Sequence, residues 1–87
     1  MASNMTPLER AEAVFHELVA HYGGAEDREL RAAAKLLLVA LDKFRIHGGS
    51  NWSALLDEYV DLAKRDPERL ERILHGNRGK KDSSLLA

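Results

Sequence analysis

Apolar residues recur along this chain at spacings of three and four, and no stretch alternates with period two. That rhythm predicts helices and no sheet. Thr6-Pro7-Leu8-Glu9 reads as a helix start. The Thr6 hydroxyl is placed to accept the Glu9 N–H, Glu9 to reach back, and Pro7 has no N–H to lose in the first turn. Leu8, Ala11, Phe15, Leu18 and Tyr22 follow as one stripe, and Gly23-Gly24 ends it. A second helix is expected from near Glu26, with Glu26, Asp27 and Glu29 set against the positive end of its dipole. Leu30, Ala34, Leu37, Leu41 and Phe44 form its main stripe, and Leu36, Val39 and Ala40 widen it until Gly48-Gly49. A third helix runs from about Asn51 to Lys64. It carries Trp52, Leu55, Leu56, Tyr59, Val60 and Ala63 on one side and Asp57, Glu58 and Asp61 on the other. Asp66 caps and Pro67 opens a short fourth helix with Leu70, Ile73 and Leu74, ending near Gly76.

These elements predict an all-α fold: a small antiparallel bundle of three longer helices and one short C-terminal helix. The bundle is expected over residues 6–76. Residues 1–5 read as a disordered N-terminus or a cloning remnant, and residues 77–87 as a flexible basic and polar tail. The second helix poses the main question, because Leu36 to Leu41 are six consecutive apolar residues in a chain with 31% charged residues. A helix apolar on more than one face needs more than one neighbour. Set between the first and third helices it buries both sides, with Ala32, Ala33, Ala34 and Ala40 allowing close approach. Part of that wide face, or the stripe of the first helix, is also suited to closing a homodimer. At about 25 cal/mol per Å², roughly 400 Å² of added apolar burial contributes about 10 kcal/mol before the entropy of association is subtracted.

Composition narrows the chemistry. Eighty-seven residues make one domain at most. With no cysteine there are no disulfides, no thiol redox chemistry and no cysteine-held zinc. The apolar run is interrupted by Lys35 and Asp42, far short of the ~20 residues that cross a bilayer. The N-terminus lacks the basic-then-apolar pattern of a secretory signal, so a cytoplasmic location and no membrane partner are expected. The net charge of −1 is unevenly spread. Residues 1–63 hold ten acidic and six basic side chains, a balance of −4, whereas residues 64–87 hold four acidic and seven basic, a balance of +3.

Candidate sites follow from these patterns. His21, His47 and His75 each sit beside glycine or near it at a predicted helix end, where imidazole complements the dipole. His16 reads as the surface ion-pair partner of Glu12, one turn earlier. No catalytic constellation, metal ligand set or cofactor loop emerges, so no enzyme, no cofactor and no metal are expected. The expected function is a small protein–protein interaction module, an adaptor, inhibitor or regulator, homodimeric through apolar helix faces. Leu36, Val39, Trp52 and Tyr59 are its candidate partner-binding residues, aromatic side chains being frequent binding anchors. The alternative is a nucleic-acid-binding regulator in which Arg65, Arg69, Arg72, Arg78, Lys80 and Lys81 meet phosphates.

Overall fold

A computed structural model describes residues 4–79 and shows four helices, with no strand among the described residues. They are α1 (Pro7–His21), α2 (Arg28–His47), α3 (Trp52–Arg65) and α4 (Pro67–Gly76). Consecutive helices pack against one another, α1 on α2, α2 on α3 and α3 on α4, in a small antiparallel bundle.

The start of α1 forms as its sequence dictates. The Glu9 N–H donates to the Thr6 hydroxyl at 3.1 Å and the Thr6 N–H to the Glu9 carboxylate at 2.8 Å, completing a capping box. Asp66 ends α3 and caps α4, accepting from the Arg69 N–H at 3.2 Å, with Pro67 first in the new helix. The predicted start of α2 moves. Glu26 and Asp27 lie in the connection and α2 begins at Arg28, because Asp27 adopts the left-handed region at φ 58°. No side chain caps α2. Instead its first-turn arginines reach back to the loop, Arg28 to the Gly23 carbonyl at 2.9 Å and Arg31 to that of Glu26 at 3.1 Å. The turn into α3 needs Gly48 for space rather than for backbone freedom. A Cβ there would stand 2.5 Å from the Phe44 carbonyl oxygen and 2.7 Å from the Trp52 Cβ.

The inward stripe of α1 differs from the predicted one. Val19 is buried and Ala11 is exposed, and Leu8, Glu12, Phe15 and Tyr22 are half-buried. The stripe is therefore Leu8–Glu12–Phe15–Val19–Tyr22, a four-three repeat with one carboxylate inside it. Leu18, half-buried, flanks it. His16 acts on Glu12 only through its charge, and the main partner of Glu12 is Arg78. Glu12 takes a bidentate contact from the Arg78 guanidinium, whose Nε lies 3.0 and 3.1 Å from the two carboxylate oxygens and whose outer nitrogen lies 2.6 Å from one.

That contact belongs to a clasp between the first turns of α1 and the residues after α4. The Thr6 hydroxyl donates to the Asn77 carbonyl, and the Asn77 side-chain amide returns to the Ile73 carbonyl at 2.8 Å. Thr6 and Asn77 are both buried. Asn77 and Arg78, placed by sequence pattern at the start of the tail, thus hold the last helix against the first. Residues 80–87, the rest of that tail, and residues 1–3 lie outside the described residues.

The core around this frame is thin. Val19 and Ala32 are the buried apolar residues of the described chain. Phe15, Leu36, Leu41, Phe44, Leu56 and Leu70 are only half-buried. α2, the longest helix at twenty residues or about 30 Å, has α1 and α3 packed against it, and the ten-residue α4 packs on α3.

Replacing Thr6 with Ala should remove the cap and the link to Asn77 together. A loss of about 1–2 kcal/mol is expected, and a fall in Tm of roughly 4–8 °C per kcal/mol for a domain of this size, read by circular dichroism. Arg78, above all by hydrogen bonding, holds the Glu12 carboxyl below its ordinary 4.5. A depressed carboxyl adds stability above its unfolded pKa and loses it as pH falls through the folded one. Glu12→Gln should therefore melt below wild type at pH 7, and the gap should narrow as pH drops below 4.5.

Candidate interaction surface

The outer side of α2 is where the fold and the sequence pattern part company. With 3.6 residues per turn, Ala32, Leu36, Ala40 and Phe44 form one ridge, and this ridge is buried or half-buried against the neighbouring helices. Leu30, Leu37, Leu38, Val39 and Ile46 are each more than half exposed. Packing between α1 and α3 thus covers the ridge and Leu41, but not the wide apolar face as a whole. Of the four alanines expected to admit close neighbours, Ala32 is fully buried and Ala40 half-buried, while Ala33 and Ala34 stay exposed.

The exposed residues fall into two groups. Leu30, Ala34 and Leu37 continue the predicted heptad stripe toward the N-terminal end of α2, where it opens to solvent. Arg31, Lys35, Leu38 and Asp42 lie on the side of α2 away from the buried ridge, and Val39 and Ile46 lie at the edge of that side, Val39 one heptad after the buried Ala32. Asp42 pairs within the helix, at 3.1 Å with Arg45 and 3.9 Å with Lys43. Lys35 is exposed and has no ion-pair partner among the described residues. Exposed pairs of this kind are worth about 0–1 kcal/mol and do not tie Asp42 down.

The four candidate partner-binding residues are separated by the fold. Leu36 sits half-buried on the inner ridge. Val39 faces solvent. Trp52 is half-buried at the start of α3, its Cβ against Gly48. Tyr59 is exposed but leans on the core, its ring centre 6.1 Å from that of Phe44. Leu38 and Ile46 are exposed on α2 as Val39 is; Val39 and Ile46, at i and i+7, share one line of the helix, and Leu38 lies about 100° around it from Val39. Beside Tyr59, a cleft of about 540 Å³ between α3 and α4 is lined by Leu62 and Ile73 together with Glu58, Asp61, Arg65 and Arg69. Its charge is mixed.

The basic residues are dispersed in the same way. Arg65 lies 3.9 Å from Asp61 on α3, Arg78 is taken up by Glu12, and Arg69 and Arg72 are exposed on α4. Lys80 and Lys81 lie outside the described residues. His21 and His47 are the last residues of α1 and α2, and His75 is in the last turn of α4, the dipole-favoured ends. No group of three or more potential metal ligands comes together among the described residues, and no helix there is long and apolar enough to cross a membrane.

These features define a class: a small all-helical bundle with a thin core and a wide apolar face left open on its longest helix. Comparison of the chain with protein families, curated proteins and solved structures gives no match.

Opposite responses are expected on the two sides of α2. Leu36→Lys sets a charge against the buried ridge and should destabilise the fold by about 2 kcal/mol or more. Val39→Lys, compared at low protein concentration, should stay within about 0.5 kcal/mol of wild type. Urea titration followed by circular dichroism measures both.

Proposed function

We propose that this chain is a small non-enzymatic protein–protein interaction module that acts as a homodimer through the apolar side of α2. The observation that carries the reading is the exposure of Leu30, Leu37, Leu38, Val39 and Ile46 on a helix whose inner ridge is already occupied. Single exposed apolar residues are ordinary on soluble proteins, but several gathered on one element mark a contact surface. Stability argues the same way. A domain of this size buries only about 60% of the surface its unfolded chain exposes. Here the buried apolar side chains are as small as Val19 and Ala32. Disulfides cannot make up the difference in a chain without cysteine, and association with a second chain is the remaining route to a larger core.

Light scattering over a concentration series tests this. The expected mass is near twice 9.7 kDa, with Tm rising with protein concentration because association favours the folded state. A folded species of 9.7 kDa at every concentration would overturn the dimer.

A further inference from the structure

We infer that two copies of the chain pair through α2 in antiparallel register about a two-fold axis between Leu38 and Val39, with Lys35 of each copy against Asp42 of the other. This rests on the homodimer proposed above and fixes its face, direction and register.

A two-fold interface uses one surface twice, so residue i meets residue j and j meets i. On the outer side of α2, Arg31, Lys35, Leu38, Val39, Asp42 and Ile46 are spaced four, three, one, three and four apart. Turned end for end about the midpoint of Leu38 and Val39, the set maps onto itself. Lys35 and Asp42, both near the midline of this face, come level with each other across the interface, and Arg31 comes level with the partner's Ile46, while Leu38 and Val39, about 100° apart, flank the midline and each meets its own counterpart across the axis. Lys35 and Asp42 are seven residues apart, two turns of helix and about 10.5 Å along the axis. Each therefore lies about 5 Å from the two-fold axis along the helix, and the two opposite-charge contacts flank a central apolar contact.

The exposures support the same face. Leu38 is 61%, Val39 55% and Ile46 52% exposed. Lys35 is a cation without an ion-pair partner among the described residues.

Charge selects among the arrangements. A parallel pairing of the same face would set Lys35 against Lys35 and Asp42 against Asp42, two like-charge contacts. On this face, only the antiparallel direction turns Lys35 and Asp42 toward opposite charges.

Charge reversal and exchange test the register without disturbing the monomer fold. Lys35→Glu, and separately Asp42→Lys, each create two like-charge contacts per dimer. Each should raise the dissociation constant by about tenfold or more, with helicity by circular dichroism unchanged. Combining them as Lys35→Glu/Asp42→Lys restores opposite charges on both sides of the axis and should bring the constant back to within about threefold of wild type. If wild type is dimeric but the single reversals leave the constant unchanged, or the exchange is as weak as the single variants, this register is overturned while the homodimer stands. Loss of the dimer in Leu37→Lys, with Lys35→Glu unaffected, would place the interface on the Leu30–Leu37 side and equally overturn it. A wild-type chain that is monomeric throughout overturns the homodimer and this register together.

Discussion

The clasp between the two ends of the bundle is the contact on which the remaining packing depends. α4 is ten residues long and meets the other helices mainly through α3. What returns it to α1 is the Thr6–Asn77 hydrogen bond and the Glu12–Arg78 pair. Both place polar groups where they are only partly wet, and both are fully partnered. No buried side-chain nitrogen or oxygen is left without a hydrogen bond among the described residues. Burying Thr6 and Asn77 unpaired would carry a penalty, and their hydrogen bonds to each other and to Ile73 remove it. The Arg–carboxylate contact is bidentate, the geometry in which such a pair is strongest and most directional.

A clasp made of polar contacts does not enlarge an apolar core. The helices are joined in a ring, yet the interior closes only around Val19 and Ala32. Small side chains allow α2 to come close to its neighbours, and the same smallness limits how much apolar surface the contact removes from water. The long α2 then projects leucines, a valine and an isoleucine that stay more than half exposed among the described residues. Stability and interaction are therefore linked. In the proposed homodimer, the surface that leaves the single chain weakly packed is the surface a second chain covers.

Much of the fold is legible in local signals along the chain: Thr6 with Glu9, Pro7, Asp66 with Pro67, and the glycine pairs after α1 and α2. Their effect is set by hydrogen bonds three or four residues apart, and each appears at its predicted place. The start of α2 falls two residues later than its acidic residues suggest. Such residues suit a first turn on average, while the turn geometry at Asp27 depends on the whole connection. Val19 escapes a reading of the core from spacing alone, because two stripes one residue apart, through Leu18 and through Val19, both fit a helix. Only the direction of the neighbouring helix chooses between them.

The sequence by itself determined that the chain is helical, how many helices it forms and that α2 is apolar on more than one side, because periodicity and capping are short-range. Tertiary structure alone decided the partner of Glu12. A carboxylate one turn from a histidine looks like half of a local pair, and nothing in the spacing reveals an arginine 66 residues away. It also decided which part of the wide α2 face remains open. Leu36 and Val39 are indistinguishable as letters in an apolar run, and one faces the buried ridge while the other faces water. The reason is geometric: helical periodicity fixes the angle between side chains on one helix, but only the positions of the other helices fix which angle points inward.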